Sequence, residues 1–279
     1  MATAQSITMT RPGVKIHRIK IGRAFIDATS YSEALDILVE HALSRRTSAY
    51  VVTPNAQHVV MLEDDPQFRE VYEHAALVLP DGASLLGAAR ILGTKLRERV
   101  TGIDLFQGLC ERAAQNGLRV FLLGGRPGAA DLAVKKLRER YPNLIVAGTC
   151  RPPDAFDKNE NLVRDVAQKI RATHPDFLFV GLGARMQENW MYQHGRKLGV
   201  PVSVGVGGSF DVVSGFLPRA PKWMQDYGLE WLFRVAAEPR RLWKRYLIGN
   251  SRFIAIVLRQ LMTAGMQSET MSPGQAGGL

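Results

Sequence analysis

Three segments of this chain join a short apolar run to a glycine turn and then to a helical pattern. Residues 119–123 run into Gly124-Gly125-Arg126-Pro127-Gly128, residues 176–180 into Gly181-Leu182-Gly183, and residues 201–205 into Val206-Gly207-Gly208. Each run has the length of a buried strand, and the glycines end it. A helix after every strand returns the chain to the same edge, so the strands lie parallel and helices cover the sheet. Residues 50–53, 77–79 and 144–148 read as further strands of the same kind. Residues 14–27 read as two short strands about Gly22, and Ser30-Tyr31-Ser32-Glu33 is a capping box that opens a helix to about Ser44. The expected class is α/β, a Rossmann-like parallel sheet covered by helices.

The alternation stops near Phe216. Residues 218–262 show no strand signal and place Trp223, Trp231 and Trp243 among arginines and leucines, in what reads as short helices broken at Pro221 and Pro239. The expected division is an α/β core over 14–215 and a basic, Trp-rich helical appendage over 216–262. Residues 1–13 and 263–279 have the composition of disordered segments.

The net charge of +10 points to an anionic partner. The excess is concentrated in residues 219–259, where the acids are only Asp226, Glu230 and Glu238. Tryptophan with arginine suits an anionic membrane surface, so the appendage reads as a membrane-docking element. Single-stranded nucleic acid is a competing anion, but no recognised nucleic-acid module is present. Burial of the tryptophans between subunits of a homo-oligomer is a further alternative. There is no signal-peptide pattern and no apolar run long enough to span a bilayer. Cys110 and Cys150 read as reduced and buried. The expected location is cytoplasmic, peripheral on the inner face of the cell membrane.

The glycine turns offer backbone N–H groups and helix N-termini to a phosphate, on one edge of one sheet. None has the spacing of the dinucleotide fingerprint or the P-loop. A nucleotide or nucleotide-sugar is the expected ligand. Two more strands end in polar residues, Thr53-Pro54-Asn55 and Pro80-Asp81-Gly82. Asp81 fits a general base, with Thr53 and Asn55 holding sugar hydroxyls. From spacing alone, helix caps and a turn explain these residues equally simply, and that reading stands first. Arg97 and Arg99 fit a diphosphate or a solvated loop. The six histidines lack metal-ligand spacing, and no Asp-x-Asp run is present, so a metal-independent site is expected.

Taken together, the motifs resemble the WecG/TagA/CpsF glycosyltransferases. The matching residues are Thr53-Pro54-Asn55, Pro80-Asp81-Gly82, Glu98-Arg99-Val100-Thr101-Gly102, Gly181-Leu182-Gly183 with Gln187-Glu188, and Gly205-Val206-Gly207-Gly208. The match continues through Arg219-Ala220-Pro221-Lys222-Trp223, Gly228-Leu229-Glu230-Trp231, Arg234, Glu238-Pro239 and Arg245-Tyr246. The resemblance implies inverting transfer of a hexose or N-acetylhexosamine from a UDP-sugar to a polyprenyl-diphosphate-linked saccharide in cell-surface or exopolysaccharide biosynthesis. It makes Asp81 the base and carries Thr53, Asn55 and Arg99 into the catalytic site. The expected donor and diphosphate contacts are Gly124, Gly125, Gly183, Gln187, Gly207, Gly208, Arg219, Arg234 and Arg245. Arg185-Met186 departs from the family's usual proline and basic residue before Gln-Glu. The competing reading is a non-catalytic nucleotide-sugar or polyanion-binding protein.

Overall fold

The computed structural model describes residues 6–11, 14–45 and 48–270. β1 (Ser6–Arg11), β2 (Val14–Ile21) and β3 (Ala24–Asp27) form an antiparallel sheet in that order. β1 lies in a stretch whose composition predicts disorder, and pairing with β2 gives its backbone groups their partners.

The chain continues through α1 (Tyr31–Ser44), β4 (Ala49–Val52), α2 (Ala56–Asp64), α3 (Pro66–Glu73) and β5 (Leu77–Val78). α4 (Ala83–Ile91) and α5 (Gly102–Asn116) lead to β6 (Arg119–Gly124), α6 (Ala129–Arg140) and β7 (Ile145–Cys150). A 3-10 turn at Phe156–Lys158 precedes α7 (Glu160–Thr173), β8 (Phe177–Gly181), α8 (Met186–Leu198), β9 (Val202–Gly205) and α9 (Ser209–Ser214). The appendage is α10 (Lys222–Asp226), α11 (Glu230–Ala237) and α12 (Pro239–Thr270).

The main sheet has six parallel strands in the order β5-β4-β9-β8-β6-β7. Alternate side chains of each strand enter opposite layers. Val120 and Leu122 pack with α1, α5, α6 and α9, whereas Phe121 and Leu123 pack with α2, α3, α4, α7 and α8. Phe106 anchors the first layer, edge-on to Phe179 at 4.7 Å and to Phe210 at 5.2 Å. The α/β class read from the strand–helix alternation is the fold observed.

Two local expectations change. The break expected at Pro239 is present between α11 and α12, but the helix that follows has 32 residues rather than being short. At the first helical position the missing proline N–H has no partner to lose. The helix also continues to Thr270, past the boundary expected at 262, while residues 271–279 lie outside the described residues. Cys110 is buried and its thiol is pushed up by that burial, but Cys150 is only half-buried.

The second half of α12 belongs to the core. Phe253, Ile256 and Val257 are buried in the same apolar layer as α2 and β3. Gln260 accepts from the Gly22 N–H at 2.7 Å and donates to the Lys20 carbonyl at 2.9 Å. Arg252 pairs with Asp64 and Arg259 with Glu63, both at 2.8 Å. Among the described residues, no helix is long and apolar enough to cross a membrane.

Candidate active site

Open α/β sheets bind ligands beyond the carboxyl ends of their strands, where the strand order reverses. Here the helices after neighbouring β4 and β9 go to opposite faces of the sheet, α2 to one and α9 to the other, so a switch point lies between these strands. Thr53 stands at that point, buried, with its hydroxyl donating to the Gly205 carbonyl at 3.3 Å. It ties β4 to β9 and does not line the cleft described below. Asn55 does line it, and also caps α2 by accepting from the Gln57 N–H at 3.0 Å. For Asn55 the cap and the site are the same residue.

Asp81 is set in place by backbone constraints. The Leu79 N–H donates to the Val52 carbonyl at 2.9 Å, and Pro80, at the position between two donors, leaves no N–H unpaired. The Asp81 N–H then donates to the Pro54 carbonyl at 2.8 Å. Gly82 follows with φ +144°, a conformation that a side chain would oppose, and α4 begins. The Val100 N–H donates to the Pro80 carbonyl at 2.9 Å, which brings the loop carrying Arg99 alongside. One Asp81 carboxylate oxygen faces the Gly102 N–H at the start of α5, 3.5 Å away.

Burial pushes the Asp81 carboxyl up to about 6, and the Glu230 carboxylate adds to the rise. The Arg234 and Arg99 guanidinium groups and the Gly102 N–H pull against it. A carboxylate in this range is poised to take a proton near neutral pH.

Asp81 opens into a cleft of about 540 Å³ between α2, α4 and the appendage. Its polar end holds Asn55, Asp81, Arg99, Glu230 and Arg234. Glu230 lies 3.0 Å from Arg99 and 3.5 Å from Arg234, so one appendage carboxylate spans both cations. Gly228 seats this segment on α4. A Cβ there would fall 2.4 Å from that of Ala83.

The structure separates the remaining expected residues from this cleft. A side chain on Gly124 would strike the Gly181 carbonyl at 2.5 Å, and one on Gly125 would press on Phe210 at 3.1 Å, so both serve close strand and helix packing. By contrast Gly183, Gly207 and Gly208 have nothing within 4 Å of a built Cβ, so the space beside each Cα is open, while the Gly207 N–H is already bonded. Gln187 is buried: its carbonyl oxygen accepts from the Gly207 N–H at 2.9 Å and its amide donates to Glu188 at 2.8 Å. It shapes the glycine edge from beneath. Arg219 pairs with Asp104 at 2.7 Å, outside the cleft. Arg245 lies in α12, but its side chain falls outside the described residues. Arg97 turns away to Glu33 on α1. Arg185 has φ +72° and pairs with Asp65, which also caps α3.

Sequence reasoning passed over Glu230, although it is one of only three acids in the basic segment 219–259. That isolation was the available signal. Two further polar residues, His58 and Glu188, lie behind Asn55. Both are buried, with His58 Nε2 3.7 Å from Glu188 and His58 Nδ1 3.0 Å from the Asn55 side chain. Buried polar groups thus reach from Gly207 through Gln187 to Glu188 and, across a 3.7 Å gap with no hydrogen bond, from His58 to Asn55 in the cleft.

Residues 19–267 match the model of the glycosyl transferase WecG/TagA/CpsF family. Three curated relatives each carry the name N-acetylglucosaminyldiphosphoundecaprenol N-acetyl-beta-D-mannosaminyltransferase. The Bacillus subtilis (strain 168) protein is 33% identical over 81% of this chain and 85% of its own length. The Bacillus spizizenii (strain W23) protein is 32% identical over 78% and 81%, respectively. The Staphylococcus aureus (strain NCTC 8325) protein is 29% identical over 88% and 91%. Matched along nearly its whole length by the family model, and by relatives at 32–33% identity, the chain belongs to the WecG/TagA/CpsF family of glycosyltransferases.

Proposed function

We propose that this chain moves a hexose or N-acetylhexosamine from a UDP-sugar to a saccharide linked to a polyprenyl diphosphate, with inversion at the anomeric carbon. The observation that carries the reading is the position of Asp81. It stands between the 540 Å³ cleft and the switch point, and its carboxyl sits near pH 6 beside two arginines. Gly102 connects the two sides, since its N–H meets Asp81 while its Cα faces Thr53 and Val206.

In this reading the donor lies over Gly183, Gly207 and Gly208, where the space beside each Cα is open, and the acceptor enters the cleft. The acceptor hydroxyl oxygen bonds to the anomeric carbon as its proton passes to Asp81. The bond from that carbon to the UDP oxygen breaks, and UDP leaves as the anion. Backbone N–H groups and guanidinium groups meet the diphosphate charges, without a resident metal. Arg99 and Arg234 take the acceptor diphosphate, displacing Glu230. The names of the relatives support a diphosphate-linked lipid acceptor and make N-acetylmannosamine the first sugar to test.

The protein is proposed to work peripherally on the cytoplasmic face of the membrane. Trp223, Leu247 and Ile248 are among the large apolar side chains the appendage leaves exposed, next to its basic residues. The test is incubation of a panel of UDP-sugars with N-acetylglucosaminyl-diphospho-lipid, with and without EDTA, and mass spectrometry of the lipid. The expected result is a disaccharide lipid in both cases with matching release of UDP. UDP-sugar binding without any disaccharide would favour the non-catalytic reading.

A further inference from the structure

The cleft changes character along its length. Asp81 adjoins the N-terminal end of α4, and further along that helix much of the lining is hydrocarbon. Ile254, Val257 and Leu258 stand at i, i+3 and i+4 on α12 and so share one helix face. Opposite them on α4 stand Gly87 and Ile91, again one turn apart. Ile91 and Ile254 are each 57% exposed and Leu258 is 50% exposed. Two apolar helix faces thus converge on a gap they do not close. Gly87 keeps that gap open, because a Cβ built on it meets nothing within 4 Å.

Water in such a groove is unfavourable, and neither a nucleotide nor a sugar would replace it with matching chemistry. A branched hydrocarbon would. The groove is continuous with the cationic end of the cleft, so its occupant carries an anionic head next to an apolar chain. Asp81 and its two neighbouring guanidiniums stand at one end of α4, and Gly87 and Ile91 lie about one and two turns further along it. A lipid-linked acceptor is divided in the same way, with hydroxyl and diphosphate at one end and the isoprenoid beyond. We infer that the α4–α12 groove binds the first isoprene units of the acceptor directly, so that the enzyme reads the lipid next to the diphosphate as well as the sugar. This rests on the reading of the cleft as the acceptor site.

The test compares farnesyl diphosphate with inorganic pyrophosphate in equilibrium binding to the full chain, without detergent, followed by tryptophan fluorescence. Farnesyl diphosphate is expected to bind at least about 30-fold more tightly, since several buried methylenes each add several-fold. Gly87→Leu fills the gap with a residue that favours the helix, and it is expected to bring that preference close to one. Circular dichroism and melting of Gly87→Leu confirm its fold, and Ile254→Asp provides a second variant that puts a charge on the opposite wall. Equal affinity for the two ligands, or a preference that survives both substitutions, would overturn the inference. A tail-independent affinity together with loss of a dimer on Gly87→Leu, seen by light scattering, would also overturn it and assign the groove to a second copy. Because binding needs no turnover, a chain that prefers farnesyl diphosphate yet transfers no sugar would refute the transferase reading and leave the groove assignment standing.

Discussion

Arg99 Nη1 lies 3.0 Å from Glu230 Oε2, so a carboxylate of the appendage holds a core arginine at the mouth of the cleft. The same carboxylate reaches Arg234 at 3.5 Å. A diphosphate entering between these arginines must displace it. Glu230→Gln keeps the shape and removes the competing charge. Its KM for the lipid-diphosphate acceptor should fall about 3–10-fold, the size of one partly exposed ion pair. Steady-state kinetics with varied acceptor checks this. A raised KM would mean that Glu230 orients the arginines rather than guarding them.

Asp81 should lower stability at neutral pH. Burial raises its carboxyl from 3.8 to about 6. A group raised in the folded state contributes its stability below the unfolded value and loses it as pH rises through the folded one. Destabilisation therefore grows between about pH 4 and pH 6 and persists above. Asp81→Asn should melt at a higher temperature than the wild type at pH 8, with the gap closing below about pH 4. Calorimetry across that range is the check, and a wild type at least as stable as the variant at pH 8 would contradict it.

Gln187 joins the glycine edge to the buried Glu188. Gln187→Ala leaves the Gly207 N–H and Glu188 each short of a partner. The expected loss is about 1–3 kcal/mol by urea unfolding, with a raised KM for the donor as the Gly207 turn loosens. A variant with normal stability and a raised donor KM would instead make Gln187 a direct contact.

Vesicle binding should depend on both charge and apolar surface. Co-sedimentation with anionic vesicles is expected to weaken as salt rises from about 0.05 to 0.5 M. The double substitution of Trp223→Ala and Ile248→Ser should weaken it by about 5–10-fold without shifting the melting temperature, because both side chains are exposed. Binding that ignores salt and both substitutions would remove the appendage from the membrane account.

The sheet was legible because its strands are short, apolar and punctuated by glycine. Leu122-Leu123-Gly124 and Phe179-Val180-Gly181 announce both the strand and its end. Asp81 and Asn55 were legible as strand-end polar residues, but their meeting with Arg234 was not. That meeting depends on Gly228 lying against Ala83, a contact between residues far apart in sequence. The glycine turns misled in part. Gly124 and Gly183 look alike in sequence, yet one is needed for close packing beside β8 and the other is open, and only three-dimensional neighbours distinguish them. The start of α12 at Pro239 was legible but its length was not, because Phe253, Ile256 and Val257 find their packing partners only in three dimensions.

The central claim is that Asp81 takes the proton of the acceptor. The most direct measurement is kcat/KM for sugar transfer against pH, in the wild type and in Asp81→Asn. The wild type should show an acid limb of unit slope with an apparent pKa near 6. Asp81→Asn should lose about 10²–10⁴-fold and show no such limb. Near-normal turnover in Asp81→Asn, or the same limb persisting in it, would contradict the account.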